Sequence, residues 1–68
     1  MGTIDLMRAK TIAIKFFEQY NSSVTFKSGS LEGDVWIVTL EIGLLNKQTR
    51  RIFIDKYTGN IQSYNSKD

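Results

Sequence analysis

The side chains that usually run acid–base and nucleophilic catalysis are missing from this chain. It has no histidine and no cysteine. That removes the commonest general base, the commonest zinc ligand, disulfides and thiolate metal sites. A nucleophilic centre would need a Ser-Lys or carboxylate arrangement instead. Ahead of the terminal Asp68, the side-chain carboxylates are Asp5, Glu18, Glu32, Asp34, Glu41 and Asp55. Glu32 and Asp34 flank a single turn signal, and hard-metal sites gather more oxygens than these two supply. They read as solvated turn charges. Gly29, Gly33 and Gly43 sit at strand ends without the spacing of a phosphate-cradling loop. The residue types point away from an enzyme and call for no cofactor or metal.

One other set could do recognition chemistry. Phe53 and Tyr64 could stack bases while Lys27, Arg50, Arg51 and Lys56 meet phosphates. Against this stand a net charge of only +2, Glu41 set among the basic residues, and the lack of an RNP-like motif. Single-stranded nucleic-acid binding is therefore the second reading, behind protein interaction.

The elements that position these residues follow from periodicity. Residues 4–20, "IDLMRAKTIAIKFFEQY", place Leu6, Ala9, Ile12, Ala13, Phe16, Phe17 and Tyr20 on one helical stripe. Thr3 fits an N-cap, Asp5 suits the positive helix start, and Asn21 suits a left-handed C-cap. Ile4, Met7 and Ile14 form a side ridge that reads as peripheral core. After Asn21 the period falls to two. Strands are expected at about 24–31, 35–43, 49–55 and 60–64. Turn signals separate them at Glu32-Gly33-Asp34, Leu45-Asn46-Lys47 and Asp55 to Asn60.

Matching apolar faces pairs Leu40 with Ile52, Val38 with Ile54, Ile54 with Ile61, Phe26 with Leu40 and Val24 with Ile42. The same register sets Glu41 opposite Arg51, Thr39 opposite Phe53 and Arg51 opposite Tyr64. The fold class is α+β: one N-terminal helix on one face of a three- to four-stranded antiparallel β-meander, with 1–68 as a single small domain. At 41% hydrophobic residues, a packed core is feasible without staples. Phe16, Trp36 and Ile54 are expected in it. "DKYTGN" reads as a tight hairpin turn, with Gly59 at positive φ and Asp55 and Thr58 bonding turn amides.

The helix followed by "DVWIVTLEI" and "RRIFIDKYTGNI" resembles the PepSY domain pattern. There a W-x-V strand precedes a hydrophobic strand ending in Asp, then Thr-Gly, then a short last strand. The resemblance covers nearly the whole chain. It implies an α+β fold and a noncatalytic regulatory or interaction module, of a kind found in protease propeptides and cell-envelope proteins. The family has no catalytic residues to carry over, and Asp55 with Thr58-Gly59 carries only the turn. A weaker similarity, through "WIVTLEI" and the closing tyrosine strand, is to the gas vesicle protein O family. This chain lacks that family's proline-bearing middle segment and arginine-rich end.

One helix covers one face, so the opposite face is the expected working surface. By the matched register it carries Thr25, Lys27, Leu31, Val35, Ile37, Thr39, Glu41, Arg51, Phe53, Gln62 and Tyr64. Leu31, Val35, Ile37 and Phe53 form its apolar cluster, and Thr39, Arg51 and Tyr64 complete the expected interaction surface. The expected partner is another protein chain, with a homodimer as one form. "MGTIDLMRAK" lacks the apolar core of a signal peptide, Leu6 breaks the myristoylation pattern begun at Gly2, and no window reaches membrane-span length. A cytoplasmic domain with no membrane contact is the expectation.

Overall fold

The helix begins two residues later than its apolar pattern suggests, because Ile4 is held elsewhere. Its N–H donates to the Lys56 carbonyl at 2.7 Å, and its own carbonyl accepts from the Trp36 indole Nε1 at 3.0 Å. Asp5, not Thr3, is the N-cap: its carboxylate accepts from the Arg8 amide at 2.9 Å. Helix α1 then runs Leu6–Glu18. No described non-glycine residue has positive φ, so Asn21 is not a left-handed cap. It closes the helix with its side chain instead, as Nδ2 donates to the Phe17 carbonyl at 3.0 Å.

The computed structural model describes residues 2–64. Met1 and 65–68, the ends of the expected domain, lie outside the described residues. Four strands follow the helix: β1 Val24–Glu32, β2 Val35–Ile42, β3 Gln48–Asp55 and β4 Ile61–Tyr64. They form one antiparallel sheet in the order β1-β2-β3-β4. The α+β helix-and-meander architecture is therefore the one read from the sequence.

The core lies between α1 and one sheet face. Ala9, Ala13, Phe17, Val38, Leu40, Ile42, Ile52 and Ile54 are buried. The two alanines let the helix backbone approach the sheet closely. Ile4, Ile12, Ile14, Phe16, Val24, Phe26, Trp36 and Ile61 pack around that centre, partly buried. Ile54 is thus fully inside, whereas Phe16 and Trp36 sit at the core's margin. Ile4 and Ile14 are peripheral core, but Met7, third member of the same ridge, is exposed. Lys10 extends over the Phe26 ring, 4.9 Å from its centroid, and closes the β1 side.

The register differs from the matched one by two residues between β2 and β3. Leu40 lies opposite Arg50, Val38 opposite Ile52 and Trp36 opposite Ile54. A two-residue slip preserves which face each side chain joins, so face matching could not detect it. It does separate Glu41 from Arg51: Glu41 faces Thr49, and Arg51 faces Thr39. Pairings of Phe26 with Leu40, Val24 with Ile42 and Ile54 with Ile61 occur as expected.

Two bulges alter the edges. β1 shifts register between Phe26 and Ser28, so Lys27 is an extra residue, and Leu31 then pairs with Trp36. Leu31 therefore belongs to the helix-covered side, not to the open face. Gly29 turns with it: a Cβ there would meet Leu6 Cδ1 at 2.6 Å. The second shift lies opposite β3 between Phe53 and Ile54; Gln62 is the extra residue, and Tyr64 pairs with Ile52. Tyr64 is likewise on the helix side, its ring 4.9 Å from Phe16 and 6.3 Å from Phe17.

Candidate functional site

The turn that follows β3 is built by side chains. Asp55 Oδ1 accepts from the Tyr57 amide at 2.7 Å and the Thr58 amide at 3.0 Å. Thr58 Oγ1 accepts from the Asn60 amide at 3.1 Å. Gly59 has φ of 79°, as the Thr-Gly pair suggested. Donation from the Thr58 amide, then from Tyr57, holds the Asp55 carboxyl below its ordinary range, with partial desolvation opposing. "DKYTGN" is therefore a structural turn. It is tied to the neighbouring hairpin, since the Lys56 amide donates to the Asp34 carbonyl at 3.0 Å and Lys56 Nζ lies 3.5 Å from Asp34 Oδ1.

With Leu31 and Tyr64 turned to the helix side, the open face reduces to a regular grid. Across the strands, Ser30, Ile37, Phe53 and Ser63 form one row. Toward the turn end the next row is Glu32, Val35 and Asp55. On the other side it is Ser28, Thr39 and Arg51. Val35, Ile37 and Phe53 are thus an apolar centre with a polar and charged surround, the layout of a small interface. They are half-buried by one another and by their neighbours. No described element packs over them. Arg51 is exposed and makes no ion pair among the described residues.

Of the seven expected surface residues, Val35, Ile37, Thr39, Arg51 and Phe53 share this face, and Leu31 and Tyr64 do not. Ser28, Ser30, Glu32 and Ser63 were missed there. A signal existed. Phe26 and Leu31 differ by an odd number of positions, as do Ile61 and Tyr64, so neither pair can face the core on a regular strand. A glycine inside the β1 pattern also marks a bulge. Phe53 and Tyr64, which the nucleic-acid reading needs on one surface, lie on opposite faces.

On the helix side, an open cleft of about 300 Å³ is lined by Phe16, Phe17, Tyr20, Asn21, Ile42, Arg50 and Tyr64. It is mainly aromatic. Arg50 Nη2 donates to Gln48 Oε1 at 2.7 Å and Nη1 to the Thr49 carbonyl at 3.1 Å. No grouping of three or more potential metal ligands occurs among the described residues. No helix among them is long and apolar enough to cross a membrane. No family model, characterised protein or solved structure matches this chain.

Proposed function

We propose that this chain is a noncatalytic protein-interaction module whose contact surface is the open sheet face centred on Ile37 and Phe53. The supporting observation is the grid itself. A phenyl ring, an isoleucine and a valine sit side by side on the face that α1 does not cover. In water they gain little beyond their mutual contact, whereas burial against another chain recovers about 25 cal/mol for each Å² removed from solvent. Thr39, Ser30 and Ser63 provide rim hydrogen-bonding groups, and Arg51 provides an uncommitted charge. The resemblance to PepSY domains points to the same class of role. A cytoplasmic setting and a regulatory use of the contact belong to this proposal.

The test is Phe53→Lys. It changes stability by no more than about 1 kcal/mol, since the side chain lies outside the core. It weakens self-association or partner binding, read by sedimentation or light scattering with circular dichroism as the folding control. An unfolded variant, or one that is folded with association unchanged, overturns the reading. RNA binding that survives Phe53→Lys but falls with Phe53→Ala would establish the nucleic-acid alternative instead.

A further inference from the structure

We propose that the occupant of the open face is a second copy of this chain, related by a two-fold axis that runs along the row Ser30, Ile37, Phe53, Ser63. This rests on the reading of that face as a protein contact surface. The geometry of β3 carries it. Arg51 and Asp55 lie on the open face two residues to either side of Phe53. At about 3.4 Å per residue, each is roughly 7 Å from the Phe53 position along the strand. Face-to-face packing by a two-fold requires the axis to lie in the plane between the sheets. An axis parallel to the strands lays Asp55 over Asp55 and Arg51 over Arg51 when it runs above β3, and leaves both charges over Val35 and Thr39 when it runs between β2 and β3. An axis across the strands at Phe53 lays Arg51 of one copy over Asp55 of the other, twice. It also sets Phe53 on Phe53, Ile37 on Ile37 and Val35 over Thr39.

The side-chain details agree with this arrangement. Arg51 has no ion pair among the described residues. Asp55 uses Oδ1 for its turn amides, while Oδ2 has a long 3.4 Å contact from Gln62 Nε2. One carboxylate oxygen is therefore available to a guanidinium. Ser30 and Ser63 at the two ends of the axis are small enough for sheets to approach to about 10 Å. Stacked sheets rotate by about 30°, which displaces the outer strands most and leaves β2 and β3, where the self-pairs lie, in place. A four-stranded sheet with strands of this length projects at most about 500 Å². That is below the roughly 800 Å² per partner of a standard interface, so the dimer is a weak, reversible one.

The experiment measures dimer dissociation by sedimentation equilibrium up to millimolar protein, for the wild type, Arg51→Gln, Asp55→Asn and the double variant. Asn keeps an oxygen for the turn amides, and thermal melts check that the turn survives. Two exposed ion pairs are removed by either single change, so each raises the dissociation constant between about twofold and thirtyfold. Because both changes remove the same pairs, the double variant dissociates no more readily than the weaker single one, and added salt weakens the wild type more than any variant. A wild type that stays monomeric, or single effects that add, overturns the proposal. If Phe53→Lys abolishes self-association while neither charge change affects it, the open-face reading stands and the two-fold arrangement falls. If all three leave self-association unchanged, both fall.

Discussion

The two faces of this sheet are drawn from the same four strands and differ in what covers them. On one, α1 seals Val38, Leu40, Ile52 and Ile54 completely. On the other, Val35, Ile37 and Phe53 are half-buried by sheet neighbours alone. A small domain has apolar surface enough for one sealed core, and its single helix decides where that core is. Apolar character alone does not separate the faces, since Phe53 is as hydrophobic as Ile54. Cover separates them, and cover is what a substitution reports.

The largest effect expected from this contrast is Leu40→Ala. A fully buried leucine truncated without room to collapse costs about 2–5 kcal/mol. A domain this size has only about 3–10 kcal/mol in total. Urea denaturation should show a drastic loss or no folded state, against at most a small change for Phe53→Lys. Comparable losses at Leu40 and Phe53 would erase the distinction between the faces.

A middle-sized effect is expected at Gly59, where the turn after β3 touches the helix. Its φ of 79° disfavours a branched side chain, and so does Ile12 Cδ1, which would lie 3.3 Å from a Cβ added there. Gly59→Val should cost about 1–2 kcal/mol more than Gly59→Asn, because asparagine tolerates the left-handed region. That is a difference of roughly 4–16 °C in melting temperature for a chain of this length. Equal melting temperatures would mean that the turn does not anchor the covered side.

The smallest effect is the titration of Asp55, at the margin of the open face. Its folded pKa is depressed by the Thr58 and Tyr57 amides. The stability it adds is therefore fully present above the ordinary value of 3.8 and is lost as pH falls through the lower folded value. Asp55→Asn should show a flatter decline in stability across that acidic window. An unchanged pH profile would mean that the carboxylate does not hold the turn.

Much of this fold was legible because β2 and β3 alternate without interruption. "VWIVTLEI" and "TRRIFID" each assign a face to every residue, and burial follows those assignments at Val38, Leu40, Ile52 and Ile54. The turn at Asp55 to Asn60 was legible because asparagine, glycine and an acid leave few other local conformations. Of the candidate surface, Val35, Ile37, Thr39, Arg51 and Phe53 followed from the same alternation. Leu31 and Tyr64 did not, since each lies beyond a bulge that inverts its strand.

By itself, then, the sequence determined the elements, their order and the side taken by each residue of the two central strands, because a period of two is a local property. The tertiary structure alone decided three things. It chose the β2–β3 register, since a slip of two residues leaves the face pattern intact and only longer-range contacts such as Trp36 with the Ile4 carbonyl distinguish the alternatives. It placed the bulges at Lys27 and Gln62, where local ladder disruption is offset by moving Leu31 beside Trp36 and Tyr64 onto Phe16. It also set how closely α1 seats on the face that the alternation assigns to it, because Ala9, Ala13 and Gly29 leave room there for close approach.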